Sequence, residues 1–268
     1  MLGAILGDII GSPYEFDCGD KSKDFPLFID KCEYTDDSVM TAAVADALMA
    51  VQSDDSDDAI RAKLVERMQH WGKTYANAGY GSRFYWWIKE KNPQPYNSFG
   101  NGSAMRVSPV AWLYDNMDTV RRMARLSADV THNHPEGIKG AVVVAGCIFN
   151  LRNGATKQDI YQYASKFYDL DFTLDEIRET YSFDVSCAGS VPQALKAFLE
   201  GESFTDVISC AISIGGDSDT IAAIAGSIAE AIYPIPQGFR GRVIDRMDSF
   251  LLNTIVEAVD FAYGRLPG

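Results

Sequence analysis

Two stretches of the chain set pairs of carboxylates beside hydroxyls where a helix begins. Ile214-Gly215-Gly216-Asp217-Ser218-Asp219-Thr220 runs into the apolar segment from Ile221 to Gly226, and Tyr34-Thr35-Asp36-Asp37-Ser38 runs into the segment from Met40 to Val51. Helix capping is one account, because short oxygen-bearing side chains satisfy orphan N–H groups and complement the dipole. One acid would do that, and each stretch has two. If the two helix starts converge, Asp36, Asp37, Asp217 and Asp219 crowd together, and like charges that close must be protonated or neutralised by cations. With Thr35 and Thr220, the donors are all oxygens, and no Cys or His is adjacent. That set selects Mg²⁺, Mn²⁺ or Ca²⁺ over zinc or copper, and four carboxylates with two hydroxyls suit a pair of ions.

Three further stretches have chemical potential. Pro13-Tyr14-Glu15-Phe16 places one carboxylate between aromatics, where desolvation can raise its pKa into the range of acid–base work, although a lone loop glutamate can equally be solvated surface. Ser98-Phe99-Gly100-Asn101-Gly102-Ser103, ahead of an expected helix over 104–113, offers backbone N–H groups and a positive helix end to an anion. Thr131-His132-Asn133-His134-Pro135 holds two of the three histidines. Either His132 contacts a ligand, or the stretch is a helix start capped by Thr131 or Asn133. The Trp86-Trp87 run reads as core.

Helices must position these groups. Residues 3–12 read as a short buried helix rich in Gly and Ile, ending at Ser12-Pro13. The helix after Ser38 has Met40, Val44, Leu48 and Val51 on one face. That after Thr220 has Ile221, Ile224, Ile228 and Ile232 on one side and Ala222, Ala225, Gly226 and Ala229 on another, so it should be buried nearly all round. Helices are also expected to about Trp71 and over 118–129, 137–150, 157–169, 174–181, 191–200, 203–213 and 240–263. Residues 17–33 read as an irregular charged connection, and the acids of 51–58 as solvated surface. There is no convincing β-alternation and no dividing linker, so one all-helical domain is the economical reading.

The 268 residues are 47% hydrophobic, enough for one large core, and carry a formal charge of −13. That charge argues against tracking a nucleic-acid backbone or an anionic membrane surface. Five cysteines (Cys18, Cys32, Cys147, Cys187, Cys210) without a pairing motif read as reduced thiols. The N-terminus lacks a basic region and is interrupted by Asp8, and apolar runs such as 141–149 are too short for a bilayer. A soluble, cytoplasmic protein is expected.

Taken together, Gly3-Ala4-Ile5-Leu6-Gly7-Asp8 with Glu15, Tyr34-Thr35-Asp36-Asp37-Ser38, the 98–106 stretch, Thr131-His132-Asn133-His134-Pro135 and Gly215-Gly216-Asp217-Ser218-Asp219-Thr220-Ile221-Ala222 resemble the motifs of the ADP-ribosylglycohydrolase family, in the family's order and over nearly the whole chain. The family includes the dinitrogenase-reductase-activating glycohydrolases. The resemblance implies a compact all-α, single-domain orthogonal helical bundle over residues 1–268, with two Mg²⁺ or Mn²⁺ ions in a central cleft. It implies ligand roles for Thr35, Asp36, Asp37, Asp217, Asp219 and Thr220, with Asp36 and Asp217 also catalytic. Glu15 falls where members have a catalytic or gating glutamate. Ser98, Gly100, Asn101, Gly102 and His132 fall where members hold the diphosphate and distal ribose, Ser103 belongs to the same binding loop, and Phe99 falls where an aromatic stacks on adenine. Tyr233-Pro234 departs from the family's Tyr-Gly, outside the site.

The activity implied is metal-dependent hydrolysis of the bond at C1″ of ADP-ribose, releasing ADP-ribose from a modified protein or other acceptor, by a monomer. The ions would hold the 2′- and 3′-hydroxyls of the adjoining ribose and activate water, while the negative field stabilises an oxocarbenium-like state. Two other classes compete: a two-metal phosphoesterase acting on a nucleotide or sugar phosphate, and a catalytically silent ADP-ribose-binding module. The silent module would need a broken ligand set, and all six candidate ligands are present.

Overall fold

The computed structural model describes residues 1–16 and 21–264. The chain runs through α1 (Leu2–Gly11), α2 (Asp36–Met49), α3 (Asp57–Thr74), α4 (Ser82–Trp87), α5 (Gly102–Met105), α6 (Ser108–Leu113), α7 (Met117–Asp129) and α8 (Pro135–Arg152). It continues through α9 (Lys157–Ala164), α10 (Leu174–Arg178), α11 (Cys187–Glu200), α12 (Phe204–Ile212), α13 (Ser218–Ala229), α14 (Gln237–Ile244) and α15 (Ser249–Tyr263). Among the described residues there is no β-strand, only an isolated bridge between Gly100 and Ser186. The all-helical expectation holds.

Local chemistry starts most of these helices. Ser56, Asn116, Ser186, Ser203 and Asp248 each accept a backbone N–H from the first turn that follows, and Thr156 and Thr173 form capping boxes with Asp159 and Glu176. Several expected boundaries move for this reason. The helix expected over 240–263 is two, because Asp248 accepts from Phe250 and Leu251 and begins a new one. The helix expected over 104–113 breaks at Arg106-Val107, since Pro109 lacks an N–H and constrains the residue before it. Ser186 caps α11, which begins at Cys187, four residues before the expected 191, and α9 and α10 stop short of the expected 169 and 181.

The frame of the site is the contact of α1 with α13. Every residue of α13 is buried, although Ile232, expected on its apolar stripe, lies beyond its end and is 39% exposed. Gly3, Gly7 and Gly11 lie one above another on α1. A Cβ on Gly3 would stand 2.2 Å from the Gly226 carbonyl oxygen, one on Gly7 2.1 Å from that of Ala222, and one on Gly11 2.5 Å from Asp219 Cα. The two backbones therefore touch, which seats the C-terminal end of α1 beside the first turn of α13. A single hydrophobic cluster, from Met1 to Ala262, surrounds this pair. Trp87 is in it, but Trp86 is 64% exposed, so the reading of that pair as core holds for one residue only. The acids of 51–58 stand on or near the surface as expected. Cys32, Cys147, Cys187 and Cys210 are buried free thiols, and Cys18 lies outside the described residues. Among the described residues no helix is long and apolar enough to cross a membrane.

Candidate active site

The two acid-bearing helix starts converge, and a further acid, Asp8, joins them from α1. Oxygens of Asp8, Asp37 and Asp219 lie within 4.8 Å of one another, as do those of Glu15, Asp217 and Asp219. Gly215 and Gly216 make the turn into α13 with φ of 73° and 74°, a region that side chains with a Cβ rarely adopt. The turn also fixes Glu15, because the Phe16 N–H donates to the Gly216 carbonyl at 3.0 Å and Phe16 is held at φ 59°.

Capping does not account for these acids. Asp217 stands at the N-cap of α13, yet its side chain makes no cap bond and accepts instead from Asn101 Nδ2 at 2.7 Å. The cap of α2 is Thr35, whose hydroxyl accepts from the Asp37 N–H at 3.3 Å and donates to Asp8 Oδ1 at 2.7 Å. Thr220 donates to Asp37 Oδ2 at 3.2 Å, leaving Asp37 Oδ1 buried with no hydrogen-bond partner among the described residues. An orphaned buried carboxylate oxygen within an all-oxygen set is the environment a hard divalent ion satisfies. The residues present fit such an ion.

Electrostatics agree with the geometry. Burial pushes Asp8 up to about 6, against hydrogen bonds from Thr35 and Ser38 that pull it down. Burial, then Asp217 and Asp8, raises Glu15 to about 7; burial, then Asp8 and Asp217, raises Asp36 to about 8. Asp37 and Asp219 stand well above the usual carboxylate range, from burial and then mutual repulsion within the cluster, and burial also raises Asp217.

The acids line a cleft of about 390 Å³. Of the expected residues, Glu15, Asp36, Asp37, Asp217, Asp219, Thr220, Ser98, Gly100, Asn101, Gly102 and His132 line it. Asp36 does so without belonging to either trio of converging oxygens. Thr35 and Ser103 do not line it: Thr35 is engaged with Asp8, and Ser103 Oγ donates to the Gly137 carbonyl at 2.7 Å. Phe99 is 55% exposed, edge-on to His134, and also off the cleft wall.

The binding loop differs from its expected form. The Gly100 N–H donates to Ser98 Oγ at 3.1 Å and the Asn101 N–H to the Val185 carbonyl at 2.8 Å, so neither is open to an anion. The helix that follows is four residues long, with a correspondingly short dipole. What the loop supplies is the Asn101 side chain, which spans Asp217 and Ser190 Oγ. Nor do Thr131 and Asn133 cap α8: His134 Nδ1 does, accepting the Glu136 N–H at 3.1 Å. Asn133 Oδ1 accepts from the Asn97 N–H instead, at 2.7 Å.

Two site residues were not singled out from sequence. Asp8 is the sole charged residue of a ten-residue apolar helix, and that isolation was a usable signal. Arg106 is 1% exposed and lines the cleft, donating from Nη2 to the Ser127 carbonyl at 2.9 Å and to Thr131 Oγ1 at 2.8 Å; burial lowers it to about 10. Its signal lay only in the quoted 98–106 stretch.

The profile of the ADP-ribosylglycohydrolase family matches residues 1–260. The chain belongs to the ADP-ribosylglycohydrolase family. Among its relatives is ADP-ribosylhydrolase ARH3 of Homo sapiens, 26% identical over 313 residues covering 88% of this chain and 85% of that protein. Another is ADP-ribosylarginine hydrolase Tri1 of Pseudomonas putida (strain GB-1), 25% identical over 261 residues covering 88% and 70%. A solved chain described as an "ADP-ribosylglycohydrolase-related protein complex" superposes with a TM-score of 0.73 at 23% identity, over 99% of this chain and 96% of that one, which bears out the fold.

Proposed function

We propose that this ADP-ribosylglycohydrolase-family chain hydrolyses the bond at C1″ of ADP-ribose, releasing ADP-ribose from a modified acceptor, and that a pair of Mg²⁺ or Mn²⁺ ions supports the reaction. The observation that carries this reading is the convergence of Glu15, Asp36, Asp37, Asp217 and Asp219 in one cleft with an orphaned carboxylate oxygen, a cleft that Gly100, Gly102 and His132 also line. Asp37, Asp217 and Asp219, with Thr220 and the added Asp8, would hold the ions, and Asp36 would face them from the cleft wall. Bound there, the ions supply charge neutralisation and Lewis acidity at the ribose diol.

The chain's own groups do the rest. Asn101 fixes the rotamer of Asp217 through its 2.7 Å bond. Glu15, raised toward neutral pH, can hold a proton for the departing group or take one from water while C1″ passes through an oxocarbenium-like state. Clustered carboxylates favour that developing positive charge.

The test is product analysis by mass spectrometry on a panel of ADP-ribosylated acceptors, with arginine-linked substrate included because a relative is named for it. Free ADP-ribose with its diphosphate intact, formed with Mg²⁺ or Mn²⁺ and lost reversibly on chelation, is the expected result. Released phosphate or AMP would assign a phosphoesterase instead. Full activity after exhaustive chelation, or a requirement for zinc, would overturn the ion reading.

A further inference from the structure

The two ring nitrogens of His132 keep different company. Nδ1 lies 2.7 Å from Thr131 Oγ1. Nε2 lies on the cleft wall beside the 98–103 loop: a Cβ on Gly102 would stand 3.1 Å from it and one on Gly100 3.4 Å. A neutral imidazole carries its proton on one nitrogen, and the hydrogen bond at the other decides which.

The Thr131 hydroxyl settles the matter, because it has one proton and two lone pairs. Arg106 Nη2 donates to it at 2.8 Å and takes one lone pair. The proton then has two acceptors in reach, the Ala128 carbonyl at 3.5 Å and His132 Nδ1 at 2.7 Å. The Ala128 carbonyl already accepts the backbone N–H groups of Thr131 and His132, at 3.1 and 2.7 Å. A third donor at 3.5 Å to a doubly occupied oxygen is a poor bond beside one of 2.7 Å to an open lone pair. Thr131 therefore donates to Nδ1, and the proton of the ring sits on Nε2. Arg106 is itself pinned by its bond to the Ser127 carbonyl at 2.9 Å, so the orientation of the whole chain of bonds is set from the core. Burial, and then the Arg106 and Arg83 charges, hold the imidazole well below its ordinary pKa, which keeps it neutral.

We propose that Arg106 and Thr131 are positioning residues that lock His132 in the Nε2–H tautomer, so that this wall of the cleft presents a neutral donor to an acceptor oxygen of the ligand. The identity of that oxygen, a diphosphate or ribose oxygen of ADP-ribose, rests on the function proposed above; the tautomer does not.

Long-range ¹H–¹⁵N correlation of the full chain with ¹⁵N-labelled histidine reads the tautomer directly, without ligand, once His132 is assigned by single replacement of His70 and His134. The expected spectrum shows a protonated Nε2 and a bare Nδ1 on His132, unchanged in Thr131→Ser. In Thr131→Val the two nitrogens should average toward a mixture, with ADP-ribose binding weakened roughly five- to tenfold, the loss of about one hydrogen bond, and restored by Thr131→Ser. A protonated Nδ1 in the unaltered protein, or an unchanged His132 spectrum in Thr131→Val, would overturn the proposal. Should Thr131→Val not fold, the spectra of the unaltered protein and of Thr131→Ser decide it. Failure of the unaltered protein to bind ADP-ribose, with Nε2 protonated, would count against the function and leave the tautomer standing.

Discussion

Asp8 accepts both polar groups of Thr35: its backbone N–H at 2.9 Å and its hydroxyl at 2.7 Å. Ser38 adds its N–H at 3.0 Å and its hydroxyl, so one buried carboxylate on α1 gathers the start of α2. The acceptor count predicts a graded result. In Asp8→Ala the buried donors lose their acceptor, and stability should fall by roughly 3–5 kcal/mol. In Asp8→Asn the side-chain oxygen can keep the three donors on Oδ2 while the Thr35 hydroxyl turns to accept from the amide, so the cost should be about 1 kcal/mol. Denaturant melts of both variants in chelator at about pH 5, where Asp8 of the folded protein is protonated and its charge does not enter the comparison, check this. Equal losses would mean that Asp8 does not anchor α2.

Stability without metal should depend on pH in the direction opposite to that of salt-bridged acids. Asp8, Glu15 and Asp36 have folded-state pKa values raised to about 6, 7 and 8. Raised values mean that the folded protein binds more protons than the unfolded chain, so the stabilisation is present at low pH and is lost as pH rises through these values. Asp8 alone, raised from 3.8 to about 6, accounts for about 3 kcal/mol. In chelator the midpoint of unfolding should therefore fall between about pH 5 and about pH 8, and on the proposed ion reading saturating Mg²⁺ should flatten that fall by binding the ionised acids. A midpoint that rises with pH in chelator would contradict the raised values.

Much of this arrangement is legible in the sequence, and what makes each part legible or hidden is local. The start of α13 was legible because Gly-Gly followed by acid, hydroxyl, acid and hydroxyl before an apolar run is a pattern with few physical uses. The start of α2 repeated its two acids and hydroxyls at a helix N-terminus, without the glycines. Asp8 went unassigned because its partners, Thr35 and Ser38, come 27 and 30 residues later, beyond any local pattern. The 98–103 loop looked like a cradle of N–H groups because its glycines are local, whereas the groups that occupy those N–H donors include Val185, which sequence spacing does not bring near. Helix existence followed from periodicity; boundaries such as those at Pro109 and Asp248 depended on single capping and breaking residues.

Glu15→Gln should reduce turnover by roughly 10²–10⁴-fold while ADP-ribose affinity changes little, because the replacement keeps the shape and removes proton chemistry. The rate profile of the unaltered protein should show an ionisation that the variant lacks, because Gln has no proton to gain or lose at that position. Turnover at the unaltered rate across pH would make Glu15 ordinary loop surface.

Asp217→Asn separates a shared cation pocket from helix capping by the sign of its effect. Were Asp217 a cap, losing its charge would be neutral or slightly harmful with or without metal, within the roughly 0.5–2 kcal/mol of such interactions. Its side chain makes no cap bond, however, and it faces Glu15 and Asp219 within 4.8 Å. In chelator these acids repel one another, so removing one charge should raise the melting temperature. The Asn101 amide still has a side-chain oxygen to donate to in the variant. In millimolar Mg²⁺ or Mn²⁺ the order should invert. Ligand binding to the folded state adds RT ln(1 + [M]/Kd), roughly 2.7 kcal/mol at a hundredfold excess over Kd, and the variant forfeits much of it. Thermal melts of the two proteins in the two buffers decide between the readings. The same sign in both buffers, with no metal-induced shift in the unaltered protein, would return Asp217 to capping.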